Sequence, residues 1–229
     1  MNSSSDRPEC AIMSPMLIVP LGPARIETVV SNSRFIASVD YAESVEAARG
    51  FIAAVRREFP DASHNVPAFI VGGGASKTEF CSDDGEPSGT SGRPLLAVLR
   101  GSGLGDAAIV VTRYFGGTLL GTGGLVKAYS EAGRLALERV IRAELAEFSR
   151  LEIALPYALY EPFRRLAADS GATVEKEDFA EIVRMVVATP SGGLALFESR
   201  IADLSSGSVA PKRVETFMAR RSNSFSLAG

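Results

Sequence analysis

Residues 107–129 read AAIVVTRYFGGTLLGTGGLVKAY. The first eight, from Ala107 to Tyr114, form a continuous apolar and β-branched run, which predicts a strand buried on both faces. Gly116, Gly117, Gly121, Gly123 and Gly124 then predict a loop over 115–124. Residues 125–141 set Ala128, Ala132, Leu135 and Ala136 on one side and predict a helix. A strand, a glycine-rich loop and a helix in that order suggest an anion cradle, since a helix N-terminus presents free N–H groups. Two nucleotide motifs fail in this stretch. A Walker A loop needs Lys then Ser/Thr after its second glycine, and after Gly116-x4-Gly121 the chain has Thr122 and Gly123. The dinucleotide fingerprint needs a small third residue, and Val126 stands there. Arg113 and Lys127 flank the loop and suit a phosphate or RNA backbone. Equally, the small residues suit close packing of helix on strand.

Upstream lies a second unusual stretch, CSDDGEPSGTSGRPL from Cys81 to Leu95. Asp83, Asp84 and Glu86 crowd its start, and it has no apolar periodicity. Pro94 suits the first turn of a short helix over 95–100, with Ser91 as its cap. The three carboxylates offer hard oxygens for a divalent cation. The simpler reading has them cap helix N-termini or pair with Arg93 and Arg113, and no metal is expected. His64 is the one histidine, which rules out a multi-histidine metal centre. It reads as a hydrogen-bonded structural residue or a general base, without any marked nucleophile elbow. The acidic neighbours of Cys81 argue against an activated thiol.

The rest of the chain supplies short strands over 16–20, 25–30 and 33–40, and an amphipathic helix over 44–59 with Val45, Ala48, Ile52, Val55 and Phe59 on one face. A buried strand is expected over 68–71, followed by a flexible loop opening at Gly72-Gly73-Gly74. After 147 the order becomes strand 148–155, helix 157–170, paired strands 173–179 and 182–188, helix 191–204 capped by Ser191, and strand 208–217. That βαββαβ order reads as a ferredoxin-like sandwich. Four segments follow: a disordered tail 1–15, a first domain 16–146, a second domain 147–221 and a loose tail 222–229.

The 229 residues are 46% hydrophobic with a net charge of −3, so any nucleic-acid surface must be a local patch. No apolar run approaches the ~20 residues of a membrane span. Two cysteines make neither a disulfide framework nor a zinc site, which fits a reducing cytoplasm.

The segments SNSRFIA (31–37), DASHNVPAF (61–69), FCSDDGEPSGTSGRP (80–94) and VVTRYFGGTLLGTGGLVKAY (110–129) resemble the Impact family, in its two-domain bacterial YigZ-like branch. Some relatives carry further histidine and cysteine where this chain has Asn65 and Val66, so no metal or thiol role carries over to that block. The resemblance implies an α+β chain. Its first domain would be like domain 2 of ribosomal protein S-five and domain IV of elongation factor G. Its second would be ferredoxin-like, as in domain V of that factor. It further implies a non-enzymatic, translation-associated or regulatory factor without a cofactor. Expected partners are RNA, the ribosome or a protein, with no membrane and no sequence-specific DNA. The alternative is a metal-dependent hydrolase of a phosphate-containing substrate. The expected groove comprises Arg34, His64, Asp83, Asp84, Glu86, Ser88, Gly89, Thr90, Gly92, Arg93, Arg113, Tyr114, Gly116, Gly117, Gly121, Thr122, Gly123, Gly124 and Lys127. Within it, the amides near Gly89 and Gly92 would face a ligand, and Arg34, Lys77, Arg93, Arg113 and Lys127 would form a positive rim.

Overall fold

The computed structural model describes residues 17–72, 76–221 and 227–228. The tail expected over 1–15 and most of the expected glycine loop after Gly72 lie outside the described residues. The first half runs β1 (Leu17–Pro20), β2 (Ala24–Val30), β3 (Ser33–Tyr41), α1 (Val45–Glu58), β4 (His64–Val71), β5 (Thr78–Cys81), α2 (Gly92–Gly101), β6 (Ala107–Tyr114) and α3 (Gly121–Glu138). The second runs β7 (Arg142–Leu155), α4 (Tyr160–Asp169), β8 (Thr173–Phe179), β9 (Val183–Pro190), α5 (Leu194–Ser205), β10 (Lys212–Arg221) and β11 (Leu227–Ala228).

β6 is the central strand of a five-stranded sheet, order β2-β3-β6-β4-β5, in which every neighbouring pair is antiparallel. Its unbroken apolar run is explained by helices on both faces. Ile109 and Val111 pack with Leu95 and Leu99 of α2 and Ala132 of α3. Ala108 and Val110 pack with Ile52 and Val55 of α1. Antiparallel strands alternate in polarity only when one face meets water, and here neither does. Gly133 lets the two helices approach: a Cβ there would lie 2.7 Å from the Leu95 side chain.

In the second sheet β10-β7-β9-β8 are neighbours, all antiparallel, with α4 and α5 on one face. Phe163 and Phe197 from those helices meet Leu151, Ile153, Val183 and Met185 of the sheet. The chain is thus α+β, two units of helix packed on antiparallel sheet.

Several boundaries differ from the sequence expectation. β7 passes straight through 146/147, pairing with β1 at Arg142 to Leu145 and with β9 at Phe148 to Leu155. Its sequence, RAELAEFSRLEIAL, holds no glycine or proline to stop it. Arg220 of β10 reinforces this shared strand by donating to the Leu21 carbonyl (2.9 Å) and lying over the Tyr41 ring. β4 begins at His64, four residues early, and takes in Pro67. The Pro67 carbonyl accepts from Ser82 N–H, beyond the last residue of β5. Its missing N–H faces that same ladder-free edge, where proline is tolerated. α3 begins at Gly121, inside the expected loop. Ser191 does not cap α5; its hydroxyl meets that of Ser149 at 2.9 Å. Leu227 and Ala228 pair with β10 within the tail expected to be loose.

Candidate functional site

The acidic stretch is a connector between β5 and α2, and each of its three carboxylates turns to a different partner. Asp83 accepts from the amides of Gly89 (2.8 Å), Ser91 (3.1 Å) and Gly92 (2.8 Å), and from the Ser91 hydroxyl (2.9 Å). It is the cap of α2, the role expected of Ser91, whose own side chain makes no capping bond. Burial pushes the Asp83 pKa up, but the three amides and the hydroxyl outweigh it, and the carboxyl lies below its usual range. The amides of Gly89 and Gly92 therefore point inward at Asp83, against the expectation that they face a ligand. Thr90 is buried, with its hydroxyl on the Pro87 carbonyl (2.6 Å), and Ser88 is exposed. Gly92 also touches backbone: a Cβ would stand 2.6 Å from the Ser82 carbonyl oxygen.

Asp84 sits at φ 50°. Its side chain takes the Asn65 N–H (2.7 Å) and pairs with Arg56. Its carbonyl lies 2.8 Å from His64 Nδ1. A carbonyl only accepts, so that ring nitrogen carries the proton. His64 thereby ties the loop to the start of β4. Its Nε2 is 3.9 Å from Glu86 Oε2.

Glu86 turns inward. Its Oε1 accepts from Arg113 Nη1 (2.7 Å) and from the Tyr129 hydroxyl (2.8 Å). Glu86 is 8%, Arg113 5% and Tyr129 0% exposed, so this is a buried ion pair with a buried phenol. Arg113 is in phase with Ile109 and Val111 along β6, which forces its guanidinium to the core side. Burial, then Glu86, pushes the Tyr129 phenol far above its ordinary range and keeps it a donor. Arg113 Nε has no partner among the described residues. The guanidinium also reaches Ser33 (3.3 Å) and lies 5.5 Å from the Phe115 ring.

That position is the floor of the glycine-rich loop. Ser33 Oγ accepts from Gly116 N–H (3.2 Å), and Ser63 Oγ from Phe115 N–H (3.1 Å). A Cβ on Gly116 would stand 2.1 Å from the Asn32 carbonyl carbon. Gly116→Ala is expected to lower stability by about 1–3 kcal/mol through this backbone clash, read as a drop in melting temperature. A change within error would mean the loop does not rest on the β2–β3 turn. Past this contact the loop opens. Gly117, Gly121 and Gly123 have open space where a Cβ would go. α3 starts without a capping side chain or an acid in its first turn. Lys127 is exposed nearly two turns on, and Phe115 and Leu119 of the loop are exposed.

The expected groove is therefore divided. Arg34 lies over the Tyr114 ring at 4.5 Å, and the Tyr114 hydroxyl donates to Asp61 (2.9 Å). These residues sit on the strand ends beside the loop. Arg113 is buried and neutralised, so it does not belong to an exposed positive rim. Lys77 is bound to Glu79 (3.0 Å) at the other end of β5. Arg93 is exposed in the first turn of α2 and has no carboxylate partner among the described residues. Cys81 is half-buried, and burial followed by the Asp83 charge raises its pKa, as its acidic neighbours suggested. The carboxylates diverge, and among the described residues no three of His, Cys, Asp or Glu are grouped to hold a metal. Sequence reasoning missed Tyr129 and Arg56. For Tyr129 the signal was its place on the apolar face of α3, between Leu125 and Ala132, with a hydroxyl that a core must satisfy.

The chain is similar to known proteins along most of its length. The Impact N-terminal domain matches residues 31–137, and a domain of unknown function matches 153–208. IMPACT family member YigZ of Escherichia coli is 36% identical over 199 residues, covering 86% of this chain and 98% of that protein. An IMPACT family member of Haemophilus influenzae is 32% identical over 86% of this chain and 97% of its own length. A crystal structure of a hypothetical protein, 35% identical, superposes with a TM-score of 0.59 over 89% of this chain and 99% of that one. By sequence, this chain belongs to the IMPACT family.

Proposed function

We propose that the protein is a non-enzymatic, translation-associated factor that binds RNA, the ribosome or another polyanion at the open N-terminal end of α3. The observation that carries this reading is the combination of two features. An 18-residue helix begins on exposed glycines with no cap and no acid. Near its start Lys127 stands exposed, while the Arg113 guanidinium beneath the loop is already paired with Glu86. Free N–H groups and a helix dipole favour a negative group there. Lys127 and Arg34 supply exposed charge, while Tyr114 and Phe115 offer ring faces. The carboxylates of the acidic connector hold the scaffold, and their divergence gives a metal-dependent hydrolase no support. The likeness of the two units to domains IV and V of elongation factor G belongs to the same proposal, as does a cytoplasmic location. Among the described residues no helix is long and apolar enough to cross a membrane.

The test is fluorescence anisotropy with labelled RNA across a salt series. Lys127→Ala is expected to weaken binding and reduce the salt slope by about 1. Gly123→Asp is the sharper variant. An acid in the first turn stabilises the helix by about 0.3–1 kcal/mol, so folding is kept while a polyanion is repelled. Absence of binding at low salt, or equal binding by Gly123→Asp, would overturn the proposal.

A further inference from the structure

The second sheet has a face that its helices do not cover. Ile153 and Met185 point toward α4 and α5, so Glu152, Ala154, Arg184 and Val186 point the other way. The register aligns them in two rows. Lys212, Glu152, Val186 and Lys176 follow one another across β10, β7, β9 and β8. Ala154, Arg184 and Asp178 form the next row. The small side chains Ala154, Val186 and Ala210 leave a depression of ≈ 440 Å³ between the long ones. That volume suits a small molecule.

Its charge is unevenly satisfied. Lys212 is 3.8 Å from Glu152. Among the described residues, the side chains of Arg184 and Lys176 have no ion-pair or hydrogen-bond partner. Asp178 is opposite Arg184 in the register yet outside ion-pair distance. An unpaired guanidinium above an apolar floor is complementary to a carboxylate on an apolar body, because the planar fork takes both carboxylate oxygens.

We infer that this trough binds a small monocarboxylate with an apolar body. Arg184 holds the carboxylate, Lys176 adds charge, and Ala154, Val186 and Ala210 receive the apolar part. RNA is a poorer occupant. No aromatic ring lines the trough for base stacking, and Glu152 and Asp178 repel a run of phosphates. A peptide strand is poorer too, since it would add at a sheet edge and the trough crosses the middle strands. The site is independent of the one at α3.

The test is an NMR titration of the full-length, ¹⁵N-labelled chain with octanoate. Acetate serves as a head-only control and octylammonium as a reversed-charge control. Saturable shifts are expected at the amides of Ala154, Arg184, Val186 and Lys176, with octanoate binding well ahead of both controls. Arg184→Ala is expected to weaken octanoate about tenfold, the loss of one charge-assisted pair. Ala154→Trp fills the floor from the solvent side, leaves the core untouched, and is expected to abolish binding with the spectrum otherwise unchanged. Three results would each overturn the inference. They are no saturable shift in the trough, undiminished octanoate binding by both variants, or oligouridylate shifting these amides where octanoate does not.

Discussion

Replacing Glu86 by alanine is expected to destabilise the chain by about 3–5 kcal/mol, the cost of leaving a buried charge without its partner. Three facts place it at the high end of single substitutions. Arg113 is 5% exposed and would lose its Nη1 acceptor. Its Nε already has none. The Tyr129 hydroxyl, fully buried, would lose its acceptor at the same time. Arg113→Met alone leaves the reciprocal fault, a buried carboxylate with only the Tyr129 hydroxyl bonded to it and His64 Nε2 at 3.9 Å. The double variant Glu86→Leu with Arg113→Met removes both charges and is expected to be more stable than either single charge removal, since apolar groups of similar volume replace a buried pair with little loss. Urea unfolding of the parent, Glu86→Leu, Arg113→Met and the double variant measures this. Single variants within about 1 kcal/mol of the parent would match an exposed pair and refute the buried network. The same reasoning explains why Arg113→Ala is a poor probe of ligand binding: any loss of affinity would be confounded with loss of the fold.

Glu86, Arg113 and Tyr129 also mark how far the sequence could be read. The burial of β6 on both faces was legible in AAIVVTRY, because no polar alternation interrupts it before Arg113. The apolar stripe of α1 was legible at Val45, Ala48, Ile52 and Val55 for the same reason. The order of strands and helices after Leu155 was legible because Gly171 and the short turns punctuate it. The β7 crossing at 146/147 was not, because the strand changes partners there without changing its own pattern. The site fared similarly. That Asp83, Asp84 and Glu86 belong to one loop is plain, but three carboxylates within four positions point in three directions. Those directions depend on backbone turns such as Asp84 at φ 50° and Gly85 at φ 87°, which no side-chain pattern reports. Arg113 was legible as a cation beside a glycine loop. Its phase with Ile109 and Val111 already implied burial, and that implication outranks mere proximity.

Asp83→Ala is expected to cost about 2–4 kcal/mol near neutral pH, since it removes the cap of α2 and leaves three amides and a hydroxyl seeking water or each other. The pH dependence separates the carboxylate from simple loss of packing. The folded-state pKa of Asp83 is depressed, so its contribution is complete above the unfolded value of about 3.9 and is lost as pH falls through the lower folded value. The parent should therefore lose its advantage over Asp83→Ala as acid titrates the group, and the two melting curves should approach each other once pH falls below the depressed folded-state pKa. Asp83→Asn is the finer probe. It keeps one acceptor but turns an NH₂ toward either Gly89 or the Ser91–Gly92 amides, so a donor faces a donor. A gap between parent and Asp83→Asn that persists unchanged into acid would show that charge is not what holds the turn. Convergence would show that the most acidic stretch of the chain serves to lock α2, and through Asp84 and His64 the start of β4, around the buried Glu86–Arg113 pair.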